Sequence, residues 1–385
     1  MGQRNNEILF ALLRSVVCGT ELEANVKENI TPELFEKLYV VSKRHDISHL
    51  IGLALEKNGL LQKENEFCVK FRKQQMLAVF RYEHINYELG IVSDALEKAH
   101  IPYMPLKGSV IRKYYPEEWM RTSCDVDILI HESDLERAED VFVQELGYRE
   151  EGKGTHDVSF FSQNGVHIEL HFELNEVAFR VFDVLSNVWC CSKIESGYRY
   201  VMPDDVFYFY HIAHMAKHFD NGGCGIRPFI DLWILDNINN SDVESRDMLL
   251  EQGGLLKFAQ SVRKLSRVWF ENEEADPVSL QMEHYIFTGG VYGTNENRII
   301  VQQQKKGGKL KYALSKIFIP YEIIKFHYPI LQKHRWLTPV MEVRRWCKLI
   351  FCGHAKRTLN ELKYNQNISM DTADKTKNFL QSIGL

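Results

Sequence analysis

Two aspartates one residue apart, Asp125 and Asp127, stand in the apolar run Cys-Asp-Val-Asp-Ile-Leu-Ile that ends at Ile130. A run of this kind is a strand, in which residues i and i+2 point to one face. The carboxylates are then close neighbours, and like charges so placed repel and resist burial. The pair calls for something positive between its members. Upstream, a strand-like segment leads into Gly108-Ser109, a turn that opens a short helix. Its backbone N–H groups and hydroxyl suit a phosphate. Downstream, Glu169 offers a third carboxylate from an alternating, strand-like segment. Hard oxygen ligands beside a phosphate cradle are what Mg²⁺ takes, with water and substrate phosphate oxygens filling its shell. Two such ions, Mg²⁺ or Mn²⁺, clamp the attacking and leaving oxygens of an in-line displacement at phosphorus. The competing reading of Asp-x-Asp is an exposed acidic edge strand, a device against edge-to-edge pairing.

Other polar residues each admit two roles. Lys107 and Arg121 flank the carboxylates, either to neutralise phosphate charge or to pair with Asp125 and its neighbours. His171 shares the face of Glu169, to orient a ligand or to pack as a neutral imidazole. His211, His214 and His218 share a helix face by their spacing. The i,i+4 pair His214 and His218 has zinc-binding spacing, but no cysteine or carboxylate is placed in sequence to complete a set. Lining a cleft and ordinary packing are the other roles open to these histidines. Arg227 follows the glycine loop Asn221–Gly225, one turn before Asp231. It is either a second phosphate contact or half of an internal Arg–Asp pair.

The elements that must position these residues are legible from periodicity. Residues 1–99 read as helices, with apolar residues at helical spacing in "NEILFALLRSVV", "TPELFEKLYVVSKRH" and "ISHLIGLALEKNG", and one long helix over residues 64–100. Then the period changes. "IPYMPL" and "CDVDILI" read as strands, and "SDLERAEDVFVQELGY" as a helix with a capping box between Ser133 and Glu136 and a stop at Gly147. "HDVSFFSQNGVHIELHFEL" reads as a hairpin about a type I′ Asn164-Gly165 turn. Its return strand puts Val166, Ile168, Leu170, Phe172 and Leu174 on one face and His167, Glu169, His171 and Glu173 on the other. Beyond residue 176 the chain is expected to return to helices.

Composition sets the class. The chain has 385 residues, 45% hydrophobic and 26% charged, enough for two or three domains with real cores. A net charge of −5 argues against a general nucleic-acid binder. Residues 305–363 are the exception, with fourteen Lys and Arg against three Glu, a local balance of +11. Aromatics recur through that segment at roughly helical spacing. It is expected to form helices that pack on the core and leave a positive face over the cleft. The eight cysteines show no metal or disulfide spacing and read as reduced thiols. The N-terminal apolar run is short, broken by Arg14, and lacks a signal-peptide pattern. A soluble, cytoplasmic protein is the expectation.

The stretch "LKGSV…YYPEEWMRTSCDVDILI…GVHIELHFEL" resembles the DNA-polymerase-beta nucleotidyltransferase superfamily. Within it the sequence is similar to poorly characterised bacterial nucleotidyltransferase-like proteins with Leu-Lys-Gly, Arg-x-x-x-Asp-h-Asp and Glu-Leu-His motifs, h being apolar. The resemblance implies an α+β fold: a small mixed β-sheet core over residues 100–200, an N-terminal helical region over 1–99, and a C-terminal helical domain over 201–385 with the basic amphipathic tail. It implies transfer of a nucleoside monophosphate from an NTP to an acceptor hydroxyl, with pyrophosphate leaving. Asp125, Asp127 and Glu169 are then the metal ligands and catalytic carboxylates. Gly108, Ser109, Lys107, Arg121 and Arg227 are the candidate nucleotide contacts. A non-catalytic nucleotide-binding protein on the same fold is one rival. A nucleic-acid-modifying enzyme is the other, supported only by the basic segment.

Overall fold

The computed structural model describes residues 3–61, 65–174, 182–238, 242–291, 293–351 and 355–385. Its sheet has seven strands: β1 (Tyr103–Pro105), β2 (Asp125–Ile130), β3 (Arg149–Lys153), β4 (Asp157–Phe161), β5 (His167–His171), β6 (Lys193–Ser196) and β7 (Arg199–Val201). Their spatial order is β3-β4-β5-β2-β1-β7-β6. β2 pairs antiparallel with β1 and parallel with β5, so both of its flanks are occupied. That removes the edge-strand reading of the paired aspartates. With helices before, behind and after a mixed sheet, the architecture is the expected α+β.

β2 alternates between two environments. Val126, Ile128 and Ile130 join Ile168 and Leu170 of β5 in a core closed by the long helix Glu66–Lys98. That helix presents Ile85, Leu89, Val92 and Leu96 to the sheet, a stripe at helical spacing. Its N-terminus is capped by the Asn65 side chain, which accepts from the Phe67 N–H at 2.8 Å. The opposite face of β2 carries Asp125 and Asp127, and its Leu129 enters a second core with the helices Ser48–Lys57, Asp204–Asp220 and Arg227–Asn237. The carboxylates therefore point toward the helical half of the molecule.

Local details depart from the sequence reading. The segment after β2 begins with a 3₁₀ turn at Glu132–Asp134, continues as the helix Leu135–Asp140, and widens to a π turn at Val141–Glu145. No side chain caps its start, so the Ser133–Glu136 box does not form. The β4–β5 connection is a three-residue loop rather than a type I′ turn. The Gly165 N–H donates to Ser162 O, the Ser162 N–H donates to Val166 O, and only Gly165 takes a positive φ, of 80°. Where helices are expected beyond residue 176, β6 and β7 form instead, β7 by pairing with β1. β3 and β6, with no apolar alternation, are fully exposed strands at the two sheet edges. Their charged residues are what an edge tolerates.

One buried network ties the segment before β2 to the C-terminal helices. The Arg121 Nε–H donates to both Asp231 oxygens at 2.8 and 2.9 Å, and the Tyr115 hydroxyl donates to Asp231 Oδ1 at 2.6 Å. Burial alone would raise the Asp231 pKa, but the Arg121 guanidinium outweighs it and holds the carboxyl below its ordinary range. Its contribution is therefore fully present at neutral pH and is lost only as pH falls through that lowered value. Asp231→Ala, which strands the buried Arg121 charge, should cost about 3–5 kcal/mol in urea unfolding. The double change Arg121→Met with Asp231→Leu should cost much less. A single variant within about 1 kcal/mol of wild type would show the pair to be dispensable.

Candidate functional site

The parallel pairing of β2 with β5 sets Asp127 opposite Glu169, Asp125 opposite His167, and Leu129 opposite His171. Asp127 is buried, 3% exposed. Its Oδ1 accepts from the Lys107 Nζ at 2.7 Å and lies 2.9 Å from His171 Nε2. That same imidazole nitrogen is 3.4 Å from Glu169 Oε2, and His167 Nδ1 is 3.8 Å from Glu169 Oε1. Lysine and histidine are thus the positive partners that the paired aspartates require.

The turn after β1 brings the lysine there. Lys107 has φ +46°, a conformation that side-chain-bearing residues seldom adopt. Such a backbone costs on the order of 1–3 kcal/mol and persists where the surroundings fix it. Here the Nζ bond to Asp127 is one anchor and the tight entry into the helix Gly108–Ile111 is another. At Gly108 an added Cβ would sit 3.3 Å from Ser123 Cβ and 3.5 Å from the Arg121 guanidinium, so the loop before β2 passes close over this glycine. Arg112 clamps the same turn, donating from Nε to Gly108 O and from Nη2 to Ser123 Oγ, both at 2.9 Å.

The electrostatics divide the two aspartates. Burial would raise the Asp127 pKa, yet the Lys107 charge and the His171 hydrogen bond drive it far below the ordinary carboxylate range. Asp125 is raised, by burial and then by the Asp127 charge, against a smaller opposing pull from Lys107. His171 is raised despite its burial, because Asp127 and Glu169 both accept from it. Neighbouring titratable groups pushed apart in this way are a signature of functional sites.

The residues present fit a divalent cation. Ligand atoms of Asp127, Glu169 and His171 all lie within 4.8 Å of one another. Two carboxylates and an imidazole suit Mn²⁺ and, through their oxygens, Mg²⁺. Asp125 lines the same cleft, beside this tightest group rather than within it. Of the expected trio, Asp127 and Glu169 stand in this group with His171 as the third member, and Asp125 stands outside it.

The cleft holds about 320 Å³ and is also lined by Gly108, Lys217, Arg227 and the three histidines of Asp204–Asp220. His214 and His218 meet through their Nε2 atoms at 3.0 Å, and His211 Nε2 contacts Pro228 O at 2.9 Å. Among the described residues no carboxylate or cysteine joins them in a metal-sized group. The Arg227 Nη1 donates to Asp46 Oδ2 at 2.9 Å, where Thr122 Oγ1 also donates, at 3.3 Å. Arg227 is therefore not the partner of Asp231, as its helical spacing suggested; Arg121 has that place. Ser109 is half-buried, its N–H donates to Leu106 O, and it is not among the residues that line the cleft. Among the described residues the basic segment 305–363 contributes nothing to this lining either, contrary to the expectation that it covers the cleft.

A family model described as an uncharacterised nucleotidyltransferase matches residues 31–271. The chain belongs to this family. The match takes in the sheet, the helices on both sides of it and every residue of the cleft except Val291. No curated protein and no solved structure matches the chain.

For a nucleotidyltransferase, sequence reading misses the supports of the site more than its chemistry. Asp46 holds Arg227 and Thr122 donates to Asp46, and nothing in their local sequence announces either. Arg112 offers a faint signal, being one turn beyond Gly108. Lys107→Met keeps the backbone type at the strained position but removes the cation from Asp127. An ionised Asp127 is then unbalanced, and the variant should lose about 3–5 kcal/mol at neutral pH. Its Asp127 pKa in the folded state should rise above the unfolded carboxyl value of about 3.9, so protonation relieves the cost as pH falls. Melting temperatures from pH 8 to 4 should therefore show the gap to wild type narrowing toward acid. A gap independent of pH would mean that Lys107 does not balance Asp127.

Proposed function

We propose that the protein transfers a nucleoside monophosphate from an NTP to an acceptor hydroxyl, with pyrophosphate leaving. The observation that carries this reading is Asp127 opposite Glu169 on paired parallel strands, beside the Gly108 turn and inside a cleft. Membership of a nucleotidyltransferase family agrees with it. Asp125, Asp127 and Glu169 would hold Mg²⁺, or Mn²⁺, with His171 beside them. Such ions supply charge neutralisation at the phosphoryl oxygens and a lowered pKa for a bound hydroxyl.

The chain's own residues do the positioning. Gly108 lets the Arg121–Ser123 loop close over the turn that lines the cleft, and Arg227, held by Asp46, adds positive charge on the same cleft. Lys107 keeps Asp127 ionised. Glu169, half-exposed toward the cleft, is placed to take a proton from an incoming hydroxyl. Most of the rate enhancement in this chemistry comes from alignment and preorganised charge rather than from a covalent protein intermediate.

One observation favours a second reading. The Lys107 ammonium already sits on Asp127 Oδ1, where it competes with a cation for that oxygen. A protein that binds nucleotide without turning it over would keep such a pair. Incubating the protein with each α-labelled NTP, Mg²⁺ and a cell extract separates the two. The enzyme reading predicts label on an acceptor; nucleotide binding with no labelled product supports the second. Asp125→Asn is the cleanest control, because the like charges of Asp125 and Asp127 repel and the variant removes that repulsion. The variant should be as stable as wild type or slightly more so, while turnover falls on the order of a thousandfold. Unchanged turnover would exclude Asp125 from the reaction.

A further inference from the structure

The helix Lys309–Ile317 has two apolar faces. Tyr312 points inward and joins Ile299, Ile300 and Ile368 in a small satellite core. Leu310, Leu314 and Ile317, at i, i+4 and i+7, point outward, and Leu310 is 74% exposed. The exposed Phe318 follows, stacked edge-on against Trp346 of the helix Thr338–Phe351 at 5.4 Å. The two helices are also tied by Trp346 Nε1 donating to Ile317 O and by the Ile319 N–H donating to Glu342 Oε1. On the second helix Val340 and Val343 are exposed, and just before it Trp336 is 75% exposed. Isolated exposed apolar residues are ordinary, but a run of this density is not.

Charge accompanies it. From residue 309 to 348 the sequence has nine Lys and Arg against two Glu. Lys311, Arg344 and Lys348 are exposed on these two helices, and Lys333 and Arg335 are exposed just before the second. We propose that this basic and apolar surface docks on an anionic lipid bilayer. Exposed leucine, isoleucine, valine and tryptophan beside lysine and arginine are what an interfacial surface presents: apolar groups enter the acyl boundary while the cations meet headgroups. A nucleic-acid surface gains little from exposed aliphatic side chains, since its affinity comes from phosphate contacts and base stacking. No helix among the described residues is long and apolar enough to cross a membrane, so contact would be peripheral. The surface shares no residue with the cleft and does not depend on the reaction proposed there.

The test is sedimentation of the full chain with phosphatidylcholine vesicles and with mixed phosphatidylcholine–phosphatidylglycerol vesicles. The expected result is binding to the anionic vesicles at low salt, weakening as salt rises, with little binding to phosphatidylcholine alone. The triple variant Leu310→Gln, Leu314→Gln, Trp336→Gln should bind about tenfold or more weakly with an unchanged melting temperature, because the replaced residues are exposed. The proposal is overturned by no sedimentation with anionic vesicles, by equal binding of the triple variant, or by a wild-type dimer that the triple variant abolishes, which would assign the surface to a second copy. Tighter salt-sensitive retention on RNA than on vesicles would assign it to nucleic acid and would equally overturn it.

Discussion

Two carboxylates facing each other across a parallel pair of strands at the centre of a sheet are tolerable only with positive charge between them. Asp127 and Glu169 are so placed by register, with Asp125 one pleat away. Lys107 and His171 supply the charge. Much of the surrounding architecture follows from that need. The strained backbone at Lys107 delivers its ammonium to Asp127, Gly108 lets the next loop close over the turn, and Arg112 holds the turn shut. The sheet centre buries β2 on its Val126, Ile128 and Ile130 face, so the strand cannot slip by a residue without putting the carboxylates into the core.

A second layer fixes the cleft from outside. Arg121 and Tyr115 grip Asp231 at the start of one C-terminal helix, while Asp46 reaches from the N-terminal helices to Arg227 on the same helix. The helical halves before and after the sheet therefore meet at the site through the half-buried Asp46–Arg227 pair, and the buried Arg121–Asp231 pair ties the sheet to the second half. Such pairs contribute little net stability when whole but cost much when broken. Their value here lies in setting position: Arg227 faces the carboxylate side of the cleft because Asp46 holds it.

The chemistry was more legible in the sequence than its scaffolding. Asp125, Asp127 and Glu169 stood out because charge in a strand core is costly, and the alternation of β5 placed Glu169 and His171 on one face before any pairing was known. Gly108 was visible as a turn after a strand. Ser109 was not placed so well, because a residue beside a glycine can face either way and its N–H goes to Leu106. Arg227 and Asp231 share helical spacing, but each found a partner far along the chain, at Asp46 and Arg121. Long-range pairing of this kind leaves no periodic trace. The same holds for β3 and β6, whose exposed residues carry no apolar alternation and which exist as strands through their neighbours.

The central claim is that this carboxylate cluster takes a divalent cation together with nucleotide. Mn²⁺ titration followed by electron paramagnetic resonance, with and without a non-hydrolysable NTP analogue, measures it directly. The account predicts bound Mn²⁺ in wild type that tightens with the nucleotide and is lost in Asp125→Asn and Glu169→Gln variants that remain folded. Wild-type protein that binds no Mn²⁺ with any nucleotide, or variants that bind it as well as wild type, would contradict it.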